Sequence, residues 1–168
     1  MDFTRQIAQM FHDEHLVTVA TLERFEALLT TCRTGPPAEL GEGGESARTL
    51  RDIQMLITSD VVVHFGFEES HLFPLLTEAG DGEMGALLTE EHGSILLVAE
   101  PLGELCRAIC EGGASDADWR ELRRLGGDFV EQMLGHIQKE EMGLLLSLDD
   151  VVDQARDGEL VMEYAALR

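Results

Sequence analysis

Only four prolines, Pro36, Pro37, Pro74 and Pro101, interrupt this chain of 168 residues. The stretches between them are long, and their apolar residues recur at the spacing of one α-helical face. Phe3, Ile7, Met10, Phe11, Leu22, Phe25, Leu28 and Leu29 make such a stripe in a helix predicted from about Asp2 to Cys32. Thr34-Gly35-Pro36-Pro37 ends it, and a Gly- and Glu-rich linker runs to about Gly44. A second helix is predicted from an N-cap at Ser46, or a residue either side, carrying Leu50, Ile53, Leu56, Ile57, Val61 and Phe65. Pro74 should end its regular part near Leu72 or Phe73. Gly80-Asp81-Gly82 reads as a turn, and a third helix follows from near Glu83 to about Glu111, with Pro101 interrupting it. After Gly112-Gly113, Ser115 or Asp116 caps a fourth helix bearing Trp119, Leu122, Leu125, Phe129, Met133, Ile137 and Leu144. Ser147-Leu148-Asp149-Asp150 reads as a capping box opening a short helix, and Asp157-Gly158 as a turn before a last amphipathic piece.

No segment reads as a strand. Val61-Val62-Val63 is locally β-prone but lies inside a helical period. Four long helices with short connections predict an all-α fold, an antiparallel up-down-up-down four-helix bundle with a short helical C-terminal tail. The expected organisation is a single domain over residues 1–168, with the bundle at about 2–146 and the tail at about 147–168.

The charge narrows the partners. Acidic residues number 33 against 12 basic ones, a net charge of −21. That balance opposes nucleic acid and anionic membrane surfaces and favours cations. No run approaches the roughly 18 apolar residues of a membrane span. Met1-Asp2-Phe3-Thr4-Arg5 lacks the pattern of a secretory signal, so a cytoplasmic location is expected. Cys32, Cys106 and Cys110 are odd in number and lack zinc-site spacing, so they are expected to be reduced thiols packed as small apolar residues.

The six histidines carry the chemistry. His12, His15, His64, His71, His92 and His136 all fall on predicted helices, at least one on each of the four. His64 is followed four residues later by Glu68, and His136 by Glu140, a spacing that puts both side chains of each pair on one helix face. With His15 and His92 on the other two helices, four imidazoles and two carboxylates can encircle the middle of a bundle. Burying that set alone is costly, and the basic residues cluster elsewhere, as at Arg120, Arg123 and Arg124. Iron resolves the cost, with imidazoles in terminal positions and carboxylates as bridges.

The order of these pieces resembles a known family. His15 ends an early Asp-Glu-His. His64-Phe65-Gly66-Phe67-Glu68-Glu69 precedes Leu72-Phe73-Pro74. Glu91-His92 and His136-Ile137-Gln138-Lys139-Glu140-Glu141 follow. Together they are similar to the hemerythrin-like (HHE cation-binding) domains, from roughly Asp2 to Leu146. The resemblance implies a four-helix bundle holding two iron ions joined by two carboxylates and an oxo or hydroxo bridge. It implies His15, His64, His92 and His136 as terminal ligands and Glu68 and Glu140 as bridges. Oxygen-carrying hemerythrins have a fifth histidine where this chain has Leu96, and they end in His-x-x-x-x-Asp where it has His136-x-x-x-Glu140. The pattern is closer to the four-His, two-Glu centre of the family's iron-centre repair branch. Those repair proteins usually add an N-terminal cysteine-containing domain, which is not seen here.

Four further residues are candidates for an extra ligand or an outer hydrogen-bonding role. Glu69 and Glu141 lie five residues after a candidate histidine, about 140° round the helix, whereas Glu68 and Glu140 lie about 40° round. His12 and His71 lead towards the same end of an antiparallel bundle and read as polar neighbours of the iron pair, as a substitute for the ligand missing at Leu96, or as a gate.

The function implied is binding of a small diatomic or peroxide (O₂, NO or H₂O₂) at the di-iron centre, in oxidative or nitrosative stress response or sensing. Alternatives are iron storage or delivery for iron-centre repair, and a ferritin-like di-iron oxidase. The ferritin signature is only half present: Glu68-x-x-His71 occurs, but Gly143 stands three residues after Glu140. A tyrosyl-radical role is disfavoured because the sole tyrosine, Tyr164, lies in the tail. His-Glu-x-x-His is absent, which argues against a zinc hydrolase.

Overall fold

The structure is a computed structural model that describes residues 3–38, 40 and 43–168. Helix is the only regular secondary structure among these residues. In chain order the elements are α1 (Gln6–Thr31), α2 (Glu45–Met55), α3 (Val62–Phe67), α4 (Phe73–Ala79), α5 (Gly82–Gly112), α6 (Asp116–Lys139), α7 (Leu145–Val151) and α8 (Gln154–Ala165). Three π turns join some of them without a break. Leu56–Val61 links α2 to α3, Glu68–Leu72 links α3 to α4, and Glu140–Leu144 links α6 to α7.

Two of these turns are alike in sequence and bonding. The Phe73 N–H donates to the Glu68 carbonyl, and the Leu145 N–H to the Glu140 carbonyl, each five residues back. A π turn inserts one residue into the helix and re-aims the side chains at its start, a device common at functional sites. The first also accommodates Pro74, whose nitrogen has no hydrogen to give.

The chain divides into two compact units. One comprises the chain up to Val17, Val62–Gly93 and Gly135–Arg168; the other comprises Thr18–Val61 and Ser94–Leu134. The core of the second is apolar, with Leu22, Phe25, Leu50, Ile53, Leu102, Cys106, Trp119, Leu122 and Phe129 all buried. Trp119 Nε1–H donates to the Cys32 carbonyl at 2.7 Å, which satisfies the buried indole. At Gly126 a Cβ would lie 2.8 Å from the Phe25 and Leu29 side chains, so any other residue there would force them to shift. All three cysteines are free thiols.

The first unit packs Ile7, Phe11, Phe67, Leu72, Leu76, Leu88, Leu144, Leu148, Leu160 and Tyr164 into one cluster. The start of α1 has no acidic residue in its own first turn. Its exposed N–H groups are served from far along the chain. Asp157 accepts from Gln6 and Ile7 at 2.9 and 3.0 Å, and Asp149 accepts from Thr4 and Arg5 at 3.0 and 2.8 Å. Carboxylates at a helix N-terminus satisfy its unpaired donors and complement its dipole.

Several expected boundaries are corrected. Asp2 lies outside the described residues, and α1 opens at Gln6. The N-cap of α2 is Gly44, not Ser46 or a neighbour, and no side chain caps it. The regular helix expected to end near Leu72 or Phe73 gives way to the π turn that closes at Leu72, and α-helix then resumes with Pro74 in its first turn and runs to Ala79. Gly80, at φ 95°, then closes it, a conformation glycine adopts without strain. Ser115 does cap α6, exchanging hydrogen bonds with Asp118. Ser147 opens no helix, since it lies inside α7; the break falls at Val152 and Asp153, where Asp153 accepts from the Arg156 N–H. Asp157 and Gly158 form no turn but lie within α8, where the Asp157 carboxylate serves α1.

Candidate metal centre

Helix α1 contributes His12, Glu14 and His15, and α3 contributes His64. The following π turn carries Glu68, Glu69 and His71, α5 carries Glu91 and His92, α6 carries His136, and the last π turn carries Glu140 and Glu141. All belong to the first unit. His15, His64, Glu68, His92, His136 and Glu140 are buried, Glu68 completely.

The structure brings these six together in two groups. Glu68, His92, His136 and Glu140 form one, and His15, His64 and Glu140 form the other, with the donor atoms of each group within 4.8 Å of one another. Glu68 has Oε1 3.3 Å from His64 Nε2 and Oε2 3.3 Å from His92 Nε2. Glu140 has Oε2 3.1 Å from His15 Nε2 and Oε1 2.8 Å from His136 Nε2. Each carboxylate therefore faces one histidine of the His15–His64 pair and one of the His92–His136 pair.

The opposite ring nitrogens are all engaged. His15 Nδ1–H donates to Glu141 at 2.6 Å, His64 to Glu14 at 3.2 Å, His92 to Glu69 at 2.8 Å and His136 to Glu91 at 3.0 Å. An ionised carboxylate only accepts, so these contacts place a proton on every Nδ1. A neutral imidazole then turns a lone pair inward at Nε2. His15 and His64 oppose these nitrogens at 3.4 Å, and His92 and His136 at 3.1 Å.

Opposed lone pairs and carboxylate oxygens call for positive charge between them. None of the four oxygens of Glu68 and Glu140 accepts a hydrogen bond of good geometry, although histidine nitrogens stand close. Buried acceptors left this way are costly in an apolar interior. A metal ion fits the donor set, because imidazole Nε2 and carboxylate oxygens suit transition metals and outward Nδ1–H bonds to carboxylates orient such rings.

Without metal, protons supply the charge. Burial pushes His64 down, but the Glu68 charge and the Glu14 contact outweigh it and lift it to about 10. His92 is likewise opposed by burial and lifted by Glu140 and Glu68 to about 9. His15 is raised against burial by Glu140. Burial opposes the charge on Glu140, yet the surrounding His136, His15 and His92 hold it well below the ordinary carboxylate range.

Aromatic rings wall the site. Phe65 stacks on His92 at 3.7 Å between centroids, and Phe11 lies 4.4 Å from His64. The carboxylates behind the histidines have partners of their own. Lys139 reaches Glu91 at 2.7 Å, His12 donates to Glu141 at 2.8 Å, and the Tyr164 hydroxyl donates to Glu14 at 2.6 Å.

The additional candidates separate. Glu69 and Glu141 sit behind His92 and His15, and His12 sits behind Glu141. His71 stacks on Phe67 and approaches Glu163 at 3.4 Å, joining neither group of inward donors. Sequence reasoning missed Glu14, Glu91 and Tyr164 as participants. Glu14 and Glu91 were visible only as the acidic residues preceding His15 and His92, whereas their partners lie on other helices. Tyr164, assigned to a remote tail, is in fact fully buried and joined to His64 through Glu14.

The fold and this buried His/Glu cluster define a helical cation-binding domain. A family model, the hemerythrin HHE cation-binding domain, matches residues 6–145, and the chain belongs to that family. No curated protein shows significant similarity to the chain. No helix of the described residues is long and apolar enough to cross a membrane.

Proposed function

We propose that this protein is a non-haem di-iron protein that binds O₂, NO or peroxide at a four-histidine, two-glutamate centre and acts in oxidative or nitrosative stress. His15 and His64 would hold one iron, His92 and His136 the other, with Glu68 and Glu140 bridging. The observation that carries this reading is the division of each carboxylate, one oxygen to either histidine pair. Bound iron would supply redox equivalents and coordination positions open to a small ligand.

The chain's own residues do the rest. Glu14, Glu69, Glu91 and Glu141 hold the Nδ1 protons and so fix which nitrogen faces inward. Phe11 and Phe65 limit the water that reaches the imidazoles. We read the whole as one domain, an antiparallel up-down-up-down four-helix bundle over about residues 2–146 with a helical tail to 168.

Metal analysis and an optical spectrum of protein purified from iron-rich cells test this reading. Two irons per chain with iron charge-transfer bands are expected. Stopped-flow mixing with O₂, NO and peroxide then identifies the ligand. A chain that takes up no iron under these conditions refutes the proposal.

A further inference from the structure

Among the four outward hydrogen bonds, that of His64 is the longest, 3.2 Å against 2.6, 2.8 and 3.0 Å for His15, His92 and His136. Glu141 and Glu91 take their second partners on the other oxygen, whereas here one oxygen takes both. Glu14 Oε2 receives both the His64 Nδ1–H and the Tyr164 hydroxyl, and the phenol bond is shorter, at 2.6 Å. Arg168 meets the other oxygen, Oε1, at 3.0 Å. The phenol is held in place by its ring, whose centroid lies 4.9 Å from that of Phe11 and 4.8 Å from that of Phe67. Tyr164 is fully buried, so no solvent competes for its hydroxyl.

A carboxylate behind a metal-facing histidine pulls on the Nδ1 proton and makes Nε2 a better donor. An oxygen that accepts a second, stronger hydrogen bond has less charge to offer the first. We propose that Tyr164 is a positioning residue for His64. It fixes the Glu14 carboxylate and draws charge from Oε2, so that His64 is the least electron-rich of the four inward imidazoles. The inference rests on the reading of His64 as metal-facing. It gives the centre a built-in inequality, set by a residue outside the 6–145 family match.

Nitrogen NMR of zinc-loaded protein tests it, because zinc is diamagnetic and the method reads each ring nitrogen separately. Tyr164→Phe keeps the ring and removes the hydroxyl. Since the chain has one tyrosine, difluorotyrosine supplied in the growth medium alters only that position and strengthens its donor. The His64 Nδ1 signal should shift towards a more imidazolate-like value in Tyr164→Phe and the opposite way with difluorotyrosine. The other three histidines should stay put. A purely packing role would move all four together or none, and either result overturns the proposal. If Tyr164→Phe fails to fold, the fluorinated protein decides alone. Zinc stoichiometry and the metal-free spectrum, measured on the same samples, separate the two readings. A chain that binds no zinc yet shows the opposed His64 shifts refutes the metal assignment and retains the Tyr164 contact.

Discussion

Glu141 adjoins Glu140 in sequence, yet its carboxylate serves His15, accepting the Nδ1–H at 2.6 Å. The same displacement recurs around the site. Glu14, next to His15, serves His64; Glu69, next to Glu68, serves His92; and Glu91, next to His92, serves His136. Each helical run lends a carboxylate to the imidazole of the next, and the last returns to the first. None of these four Nδ1 contacts stays within one helical run.

Removing either dividing carboxylate should cost the centre metal. Glu68→Ala and Glu140→Ala are each expected to drop bound iron from two per chain towards one or none, read by elemental analysis. Two irons and an unchanged spectrum in both variants would show that neither residue bridges.

Metal should stabilise the fold strongly. Bound as proposed, it would satisfy four carboxylate oxygens that otherwise lack hydrogen bonds, and only in the folded chain. At free metal a thousandfold above its dissociation constant the gain is about 4 kcal/mol. Calorimetry should show a clearly higher melting temperature for loaded protein than for metal-free protein; equal values would argue against a buried site.

The pH dependence should differ between the two forms. In metal-free protein His64 and His92 are raised from 6.5 to about 10 and about 9 by their glutamate partners, against burial. Both folded values lie above the unfolded one. Their stabilising contribution is therefore complete below pH 6.5 and is lost as pH rises through about 9 and about 10. Metal uptake displaces the same protons, so its affinity should rise over that window. Urea titrations of metal-free protein should give midpoints that fall with rising pH, less so once metal is bound. A rising midpoint in the metal-free form would contradict the sign.

His12 and His71 should behave differently from each other. His12→Ala removes the donor to Glu141, so a modest change in the iron spectrum is expected through His15. His71→Ala removes a ring stacked on Phe67 and should leave spectrum and iron content unchanged. Loss of iron in His71→Ala would reveal a direct role that its position does not suggest.

Asp157→Ala should cost about 1–3 kcal/mol, because two N–H groups of α1 lose a charged acceptor. Iron content at saturation should stay at two per chain. An unchanged denaturation midpoint would show that water replaces the carboxylate without cost.

Much of the helical content was legible because apolar spacing is a local signal that survives folding. The boundaries that failed were those where a distant contact overrides local preference. Pro74 reads as a break or kink near Leu72 or Phe73, and the irregularity is there, but as a π turn after which the helix resumes to Ala79. Asp157-Gly158 reads as a turn, but Asp157 is held in α8 with its carboxylate on the start of α1. The inward six were legible because His64–Glu68 and His136–Glu140 share helix faces by spacing alone. The outward carboxylates were not, since each partnership joins two helices and has no fixed separation in sequence. Tyr164 escaped for the same reason, standing 150 positions after Glu14.

The cap on α1 also has a consequence in time. Ribosomal synthesis releases Gln6 and Ile7 long before Asp157, which follows Ile7 by 150 residues. Until then the leading N–H groups of the α1 segment lack this acceptor, and His15 lies less than three turns beyond them. The closing contact is available only once α8 has been made. Of the eight α-helices among the described residues, the one made first thus takes its cap from the one made last.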